Sequence, residues 1–375
     1  MKERKYVLGA LVACLVIVAS TLAGLAAAKP GKKEAAFKVA WIYPGPHNDG
    51  GWSQAHDVGR LAVQKALGSK VQTTYKENVF SNASVPQIVA GLVRDGYKMI
   101  FGTSFGMFEL GVNGQLADKY PNVLFEQATG TQLKKNQAEY FGAAEDTIYL
   151  SGMAAGAATK KGVIGYVVPY GIPEVVRHLN AFTLGAQATH PGAKVKIVWT
   201  NAWFSPPKET AAAQALISAG VDVIGQNVDS PAAGVVAESK GIPWVGYDAN
   251  ARKSAPKQWL TAATYNWGPY YVKRVQAALN GTWKPGFYYG TIKDGFTGLA
   301  PYGPKVSAKT KAQIAAKRKA IVAGKFNVFQ GPIYDQSGKL KVKPGQKLRL
   351  IQDLYTMQWL VKGVVGKVSS VLPPG

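Results

Sequence analysis

The chain has 375 residues, a formal net charge of +23, 47% apolar and 11% aromatic residues, and one cysteine, Cys14. That apolar share builds sizeable cores and excludes a disordered chain, and the length corresponds to about two domains of roughly 150 residues each. A single cysteine excludes a disulfide framework. The excess of lysine lacks the basic-region, zinc-finger and aromatic patterns of a nucleic-acid binder.

In chain order, Lys2, Arg4 and Lys5 precede a charge-free run from Tyr6 to Leu25, and Ala26, Ala27 and Ala28 follow just before Lys29. A charged start, an apolar core and a small-residue exit make residues 1–28 a secretory signal peptide, so the remainder is expected to work outside the cytoplasm, in the periplasm. An uncleaved anchor is one alternative for a run of this length. Lipidation of Cys14 in Leu11-Val12-Ala13-Cys14 is another, although Leu15 to Val18 stay apolar where a lipoprotein turns polar.

From Ala36 the chain alternates strand-like and helix-like segments. Phe37–Tyr43, Lys70–Tyr75, Lys98–Thr103 and Val123–Gln127 read as strands, and the stretches 53–67, 85–95 and 108–119 as helices. The alternation restarts with strands at Gly162–Val168, Lys194–Thr200, Val223–Gln226 and Trp244–Tyr247, separated by helices at 173–190, 207–219 and 231–240. Short apolar strands punctuated by Gly and Pro and spaced by helices imply parallel βαβ units. Pro269–Leu279 and Ala308–Val322 are helical, and Met357–Val364 is an amphipathic end. Residues 301–350 hold twelve Lys or Arg against one acid, Asp335, which reads as a solvated basic face able to meet an anionic membrane surface or partner.

Two such runs predict an α/β protein of two lobes, each a parallel sheet flanked by helices. Ligands of such sheets bind outside the carboxyl ends of the strands. The loops to search are therefore 44–52, 103–109, 127–131, 169–173, 200–207, 226–230 and 247–250. They carry Trp52, Phe105, Tyr170, Trp203, Phe204 and Tyr247, together with Asn48, Asp49, Glu109, Gln127, Asn227, Asp229 and Asp248. Aromatic faces beside a few acceptors suit a flat, nitrogen-rich ligand, although aromatics build cores as often as sites. Trp52 stands out, because the polar turn Asn48-Asp49-Gly50-Gly51 presents its ring for no evident packing reason.

A catalytic alternative exists. Gly102-Thr103-Ser104-Phe105-Gly106 fits a nucleophile elbow between strand and helix, but a hydrolase of that kind needs an acid and then a histidine downstream. Only His178 and His190 follow Ser104, within or at the end of a predicted helix. The four histidines (His47, His56, His178, His190) show no metal-ligand spacing, and neither a phosphate loop nor a dinucleotide fingerprint is present, so neither metal nor cofactor is expected.

Taken together, Asn48-Asp49-Gly50-Gly51-Trp52, Gly102 to Gly106, Tyr149-Leu-Ser-Gly152, Ile172-Pro-Glu-Val-Val-Arg177, Trp203-Phe-Ser-Pro-Pro-Lys-Glu209, Asn266-Trp-Gly-Pro-Tyr270 and Met357 to Gly363 form an ordered set. Over about 36–368 the chain resembles the basic membrane protein family of substrate-binding proteins that serve ABC importers. The resemblance implies a type I periplasmic-binding-protein fold with several crossovers at a hinge. Its lobes would comprise 36–141 plus about 248–285, and 142–247 plus about 286–368. It implies a monomer that closes around a purine and docks on an ABC permease, with no chemistry of its own and no nucleic-acid partner. Trp52 and Trp203 match the two aromatics that sandwich the base, Asp248 the aspartate that holds the ligand, and Glu109 the acid that reads the base. Tyr265 stands where nucleoside receptors place a ribose-contacting lysine. That departure favours a free base, adenine or hypoxanthine, with a purine nucleoside as the alternative.

Overall fold

The computed structural model describes residues 35–374. The proposed signal peptide and Cys14 lie outside the described residues. Short 3₁₀ turns aside, the elements are β1 (Phe37–Ile42), α1 (Trp52–Leu67), β2 (Val71–Lys76), α2 (Val85–Arg94), β3 (Met99–Gly102), α3 (Leu116–Lys119), β4 (Leu124–Ala128) and β5 (Gln137–Gly142). Then come α4 (Ala144–Ala158), β6 (Val163–Val168), α5 (Pro173–Thr189), β7 (Lys194–Trp199), α6 (Pro206–Ser218), β8 (Val223–Gln226), α7 (Ala232–Ser239), β9 (Trp244–Asp248) and β10 (Trp259–Tyr265). The chain ends with α8 (Trp267–Leu279), β11 (Phe287–Gly290), β12 (Thr297–Leu299), α9 (Ala308–Val322), a β13–β14 hairpin (Ile333–Tyr334, Leu340–Val342) and β15 (Val364–Val365).

The strands form two sheets. The first has the order β11-β5-β4-β3-β1-β2 and is parallel throughout. The second has the order β12-β10-β9-β8-β6-β7-β15 and is parallel except for β12 on β10. Helices cover both faces, which is why strands such as β3 and β6 are continuous apolar runs rather than alternating ones. In the first sheet the order reverses between β1 and β3, in the second between β6 and β8. A reversal opens a crevice at the carboxyl ends of the two strands, because their following segments leave on opposite faces. The crevices are bounded by the segments after Ile42 and Gly102 in one sheet, and after Val168 and Gln226 in the other.

The chain crosses between sheets three times: after β5 into α4, after β10 into α8, and after β11 into β12. The second and third exchanges fall later than the sequence reading placed them. Trp259–Tyr265 pairs in parallel with Trp244–Asp248, so it belongs to the second sheet, and the chain returns only after Tyr265. Phe287–Gly290 pairs with β5 and stays in the first sheet.

Two further differences have local causes. The helix expected over 108–119 is reduced to turns and the single turn of α3. Gly106 and Gly111 adopt left-handed backbone there, and a Cβ at Gly106 would overlap the Leu110 side chain. β5 and α4 carry no periodic signal because both are buried almost throughout. Helix α4 packs flush along α5: a side chain on Gly152 would overlap the Phe182 carbonyl oxygen, and one on Gly185 the Tyr149 carbonyl oxygen. The basic stretch forms α9 and the hairpin at the surface. Among the described residues only Arg349 of its twelve cations is ion-paired, at 2.9 Å from Asp353.

Candidate functional site

The cleft lies where the two crevices face each other. Pro44, Trp52, Ser104, Phe105 and Thr129 line it from the first lobe and Glu174, Trp203 and Asp229 from the second, with a space of about 20 Å³ left between them. The turn before α1 is built by Asp49, whose carboxylate accepts from the amides of Gly51, Ser53 and Gln54 at 2.9–3.0 Å. It satisfies the orphan N–H groups of the helix start. Trp52 is the first helical residue, and its indole N–H donates to the Thr103 carbonyl at 2.6 Å, which fixes the ring plane. Behind it, His56, Tyr265 and Trp267 meet the ring edge-on at 4.6–5.6 Å. Trp52 is thus part of the first lobe's core and also a wall of the cleft.

The Phe105 loop is tied from both sides. Gln127 donates to the Ser104 carbonyl at 2.7 Å and accepts from the Phe108 amide at 2.9 Å, and Asn82 donates to the Phe105 carbonyl at 3.2 Å. Across the cleft, Trp203 is half-buried with the edge of Tyr170 at 5.2 Å, and its carbonyl accepts from the Asp229 amide at 3.1 Å. The lobes touch at this point. A Cβ on Gly51 would overlap the Asp229 carbonyl oxygen, and one on Gly50 would come within 2.9 Å of the Pro231 ring.

The second lobe supplies buried acids. Asp229 Oδ2 and both carboxylate oxygens of Asp248 are buried without a hydrogen-bond partner. Burial raises the Asp229 carboxyl well above its ordinary range, reinforced by the charges of Asp49, Asp248, Glu209 and Glu174. Asp248 is raised in the same way by burial and by Asp49 and Glu174, and its backbone is left-handed at φ 66°. Burial pushes Glu174 up to about 7, opposed by the Arg177 guanidinium. His178 is fully buried and held neutral by desolvation and by Arg177; its Nδ1 lies 3.4 Å from the Tyr247 hydroxyl and 3.5 Å from the Asn227 amide.

Of the residues singled out from sequence, Trp52, Phe105, Trp203 and Asp229 come together on the cleft surface, with Asp248 close enough to raise Asp229. Tyr170 and Tyr265 stand behind the two tryptophans rather than on the lining. Tyr265 stacks on Trp267 at 4.8 Å, and its hydroxyl is 3.2 Å from that of Tyr247. Asn48 is exposed at the turn. Glu109 is not on the lining: its Oε1 accepts from the amides of Thr131 and Gln132 at 2.6 and 2.5 Å. Sequence reasoning missed Glu174 and Thr129. Glu174 follows Pro173 one residue past a searched loop. Thr129 lies inside a searched loop, but nothing in its neighbours announces its conformation. Ser104 lines the cleft without a base: among the described residues no hydrogen bond joins it to a histidine, and its backbone lacks the positive φ that Thr129 shows.

The model of the ABC transporter substrate-binding protein family described as PnrA-like matches residues 36–328. The chain belongs to this Bmp family: it is a substrate-binding protein that delivers a small molecule to an importer's permease outside the cytoplasm, and it is not an enzyme. It is 39% identical over 358 residues to the purine-binding protein of Brucella abortus, covering 94% of this chain and 99% of that one. It is also 36% identical over 332 residues, 88% of this chain and 81% of the relative, to a putative ABC transporter glucose-binding protein of Haloferax volcanii. A solute-binding protein of Aeropyrum pernix K1 shares the two-lobed fold with a TM-score of 0.69 at 15% identity, over 78% of this chain and 92% of that one. Among the described residues no helix is long and apolar enough to cross a membrane.

Proposed function

We propose that this protein captures a free purine base, adenine or hypoxanthine, in the periplasm as a monomer and hands it to an ABC permease after lobe closure. The observation that carries this reading is the cleft itself: Trp52, Phe105 and Trp203 line it beside the carboxyls of Glu174 and Asp229. The space of about 20 Å³ left between them holds a water rather than a base, so the lobes must part to admit a ligand. Flat rings stack on aromatic walls, and carboxylates accept from ring or exocyclic N–H groups. The relative named for purine binding, matched over nearly its whole length, supports the same ligand class. In this reading Trp52 and Trp203 sandwich the base, and Asp229, Asp248 and Glu174 take its N–H edge. Phe105 closes the side, Tyr170 and Tyr265 hold the tryptophans, and Asn48 keeps the turn before Trp52 solvated.

The nucleoside alternative uses the same walls and needs room for a ribose. Thermal melting against adenine, hypoxanthine, guanine, adenosine, inosine and glucose separates the readings, because a ligand that binds only the folded state raises the melting temperature by mass action. A shift with adenine or hypoxanthine and none with nucleosides or glucose is expected. A shift with nucleosides alone overturns the free-base assignment, and a shift with glucose alone overturns the purine.

A further inference from the structure

Thr129 is the one cleft-lining residue whose backbone and side chain are both out of the ordinary. It is β-branched, yet it has φ 62°, a conformation that such residues rarely adopt. It is 7% exposed, and its Oγ1 is buried with no protein partner. Strain of this kind persists only where the surroundings over-determine it, and it clusters at ligand clamps. The surroundings here do so. The Thr129 amide donates to the Tyr140 carbonyl at 3.1 Å, and Glu109 takes the next amides but one, those of Thr131 and Gln132. Gly130 between them lies against the Glu109 and Glu139 carboxyls so closely that a Cβ there would be 2.6 Å from Glu109 Oε1. Burial and the Glu109 charge push the Glu139 carboxyl up to about 10, so Glu139 stays protonated beside its neighbour at neutral pH.

The hydroxyl is a donor whatever the protonation of its neighbours. Glu174 and Asp229 donate only while they hold a proton and only accept once ionised, whereas a heterocycle carries ring nitrogens that need a donor. Ser104 is the other hydroxyl on the lining, and its backbone is unstrained. Resting on the purine reading above, we propose that the Thr129 hydroxyl donates a hydrogen bond to one ring nitrogen of the bound base and thereby sets the base's orientation in the cleft. Glu109 is a positioning residue that holds the 129–132 turn for it.

The test is binding of adenine and of deaza analogues, each exchanging one ring nitrogen for carbon, to wild type, Thr129→Val and Thr129→Ser. Thr129→Val is expected to weaken adenine binding by about ten- to a hundredfold, the loss of one buried hydrogen bond. One analogue should be weak on wild type and bind Thr129→Val equally well, while Thr129→Ser keeps the wild-type pattern. Glu109→Ala should lose the same discrimination and Glu109→Gln, which retains an acceptor oxygen, should restore it. Equal adenine affinity in wild type and Thr129→Val overturns the proposal, and so does a wild type indifferent to every analogue, a result that needs no variant to fold. Wild type binding no purine at all fails the underlying reading, whereas purine binding with an indifferent Thr129→Val fails Thr129 alone.

Discussion

The two walls of the cleft are built on opposite plans. The first lobe presents Trp52 on a stack of rings in which Trp41 lies 4.8 Å from Phe101 at 4° and His56 lies 4.2 Å from Trp267 at 19°. The Trp52 N–H is already spent on Thr103. The second lobe presents a half-buried tryptophan and the carboxyls of Asp229 and Asp248, of which Asp229 Oδ2 and both Asp248 oxygens have no protein partner. A wall with its hydrogen bonds made is rigid and offers area. A wall with bonds unmade is costly until something donates to it, because a buried polar group left unpaired loses its hydration for nothing. In the reading proposed above, the first lobe contributes preformed stacking area and the second contributes unpaired carboxyls, with Trp203 and Thr129 as the exceptions on either side.

Substitutions can break that contrast. Trp52→Ala should cost about 3–5 kcal/mol of stability, as a large core aromatic does, together with ligand binding. Trp203→Ala should cost only binding, about 1–3 kcal/mol for one stacking face. Melting curves with and without adenine, paired with calorimetric affinities, tell the two apart; equal stability losses would erase the distinction between the walls. Gly51→Ala touches neither ring. Its methyl group would strike the Asp229 carbonyl, so the lobes cannot meet. Affinity should fall by the roughly 1–3 kcal/mol of an overpacked contact, and small-angle scattering should show the ligand-soaked variant still open.

Asp248→Asn keeps a residue tolerant of left-handed backbone and removes a buried unpaired carboxyl. The unliganded protein should be no less stable, because the neutral amide escapes the repulsion of Asp49 and Glu174, while adenine binds more weakly. A variant that is less stable without ligand would mean that Asp248 has a structural partner after all.

The smallest effect is that of pH. Glu174 rises from 4.5 to about 7 in the folded protein, so the folded state holds its proton where the unfolded state has released it. Its contribution to stability is fully present below about pH 4.5 and is lost as pH rises to about 7. Glu174→Gln removes that dependence, so the melting temperature of the variant minus that of wild type should grow from pH 5 to pH 7.5. A constant difference would mean that Glu174 is ionised throughout.

The alternation of strands and helices was legible because strands such as β1, β3, β6 and β8 are short apolar runs bounded by turn residues. Helix α4 was not, since residues from Ala144 to Gly156 are buried on nearly every side and leave no polar stripe to set a period. The stretch 108–119 looks helical by pattern, but the left-handed glycines at 106 and 111 break it. Trp52 could be found because a polar glycine turn carries a bulky ring. Glu174 could not, because an acid in the first turn of a helix behind a proline is what any helix start favours. Glu109 was noticed for its charge, and the structure spends that charge on backbone amides. Thr129 was invisible because a left-handed threonine has no sequence signature.

The last strand has a consequence for how the chain must be made. Val364–Val365 lies along Lys194–Trp199 at the outer edge of the second sheet, and Gln336 fastens it through the carbonyls of Val364 and Gly366 at 2.7 and 2.8 Å. Until those residues have paired, β7 is an open edge, with backbone groups ready to pair with a second copy. A chain stopped before Val364 should therefore betray itself by self-association rather than by loss of its helices.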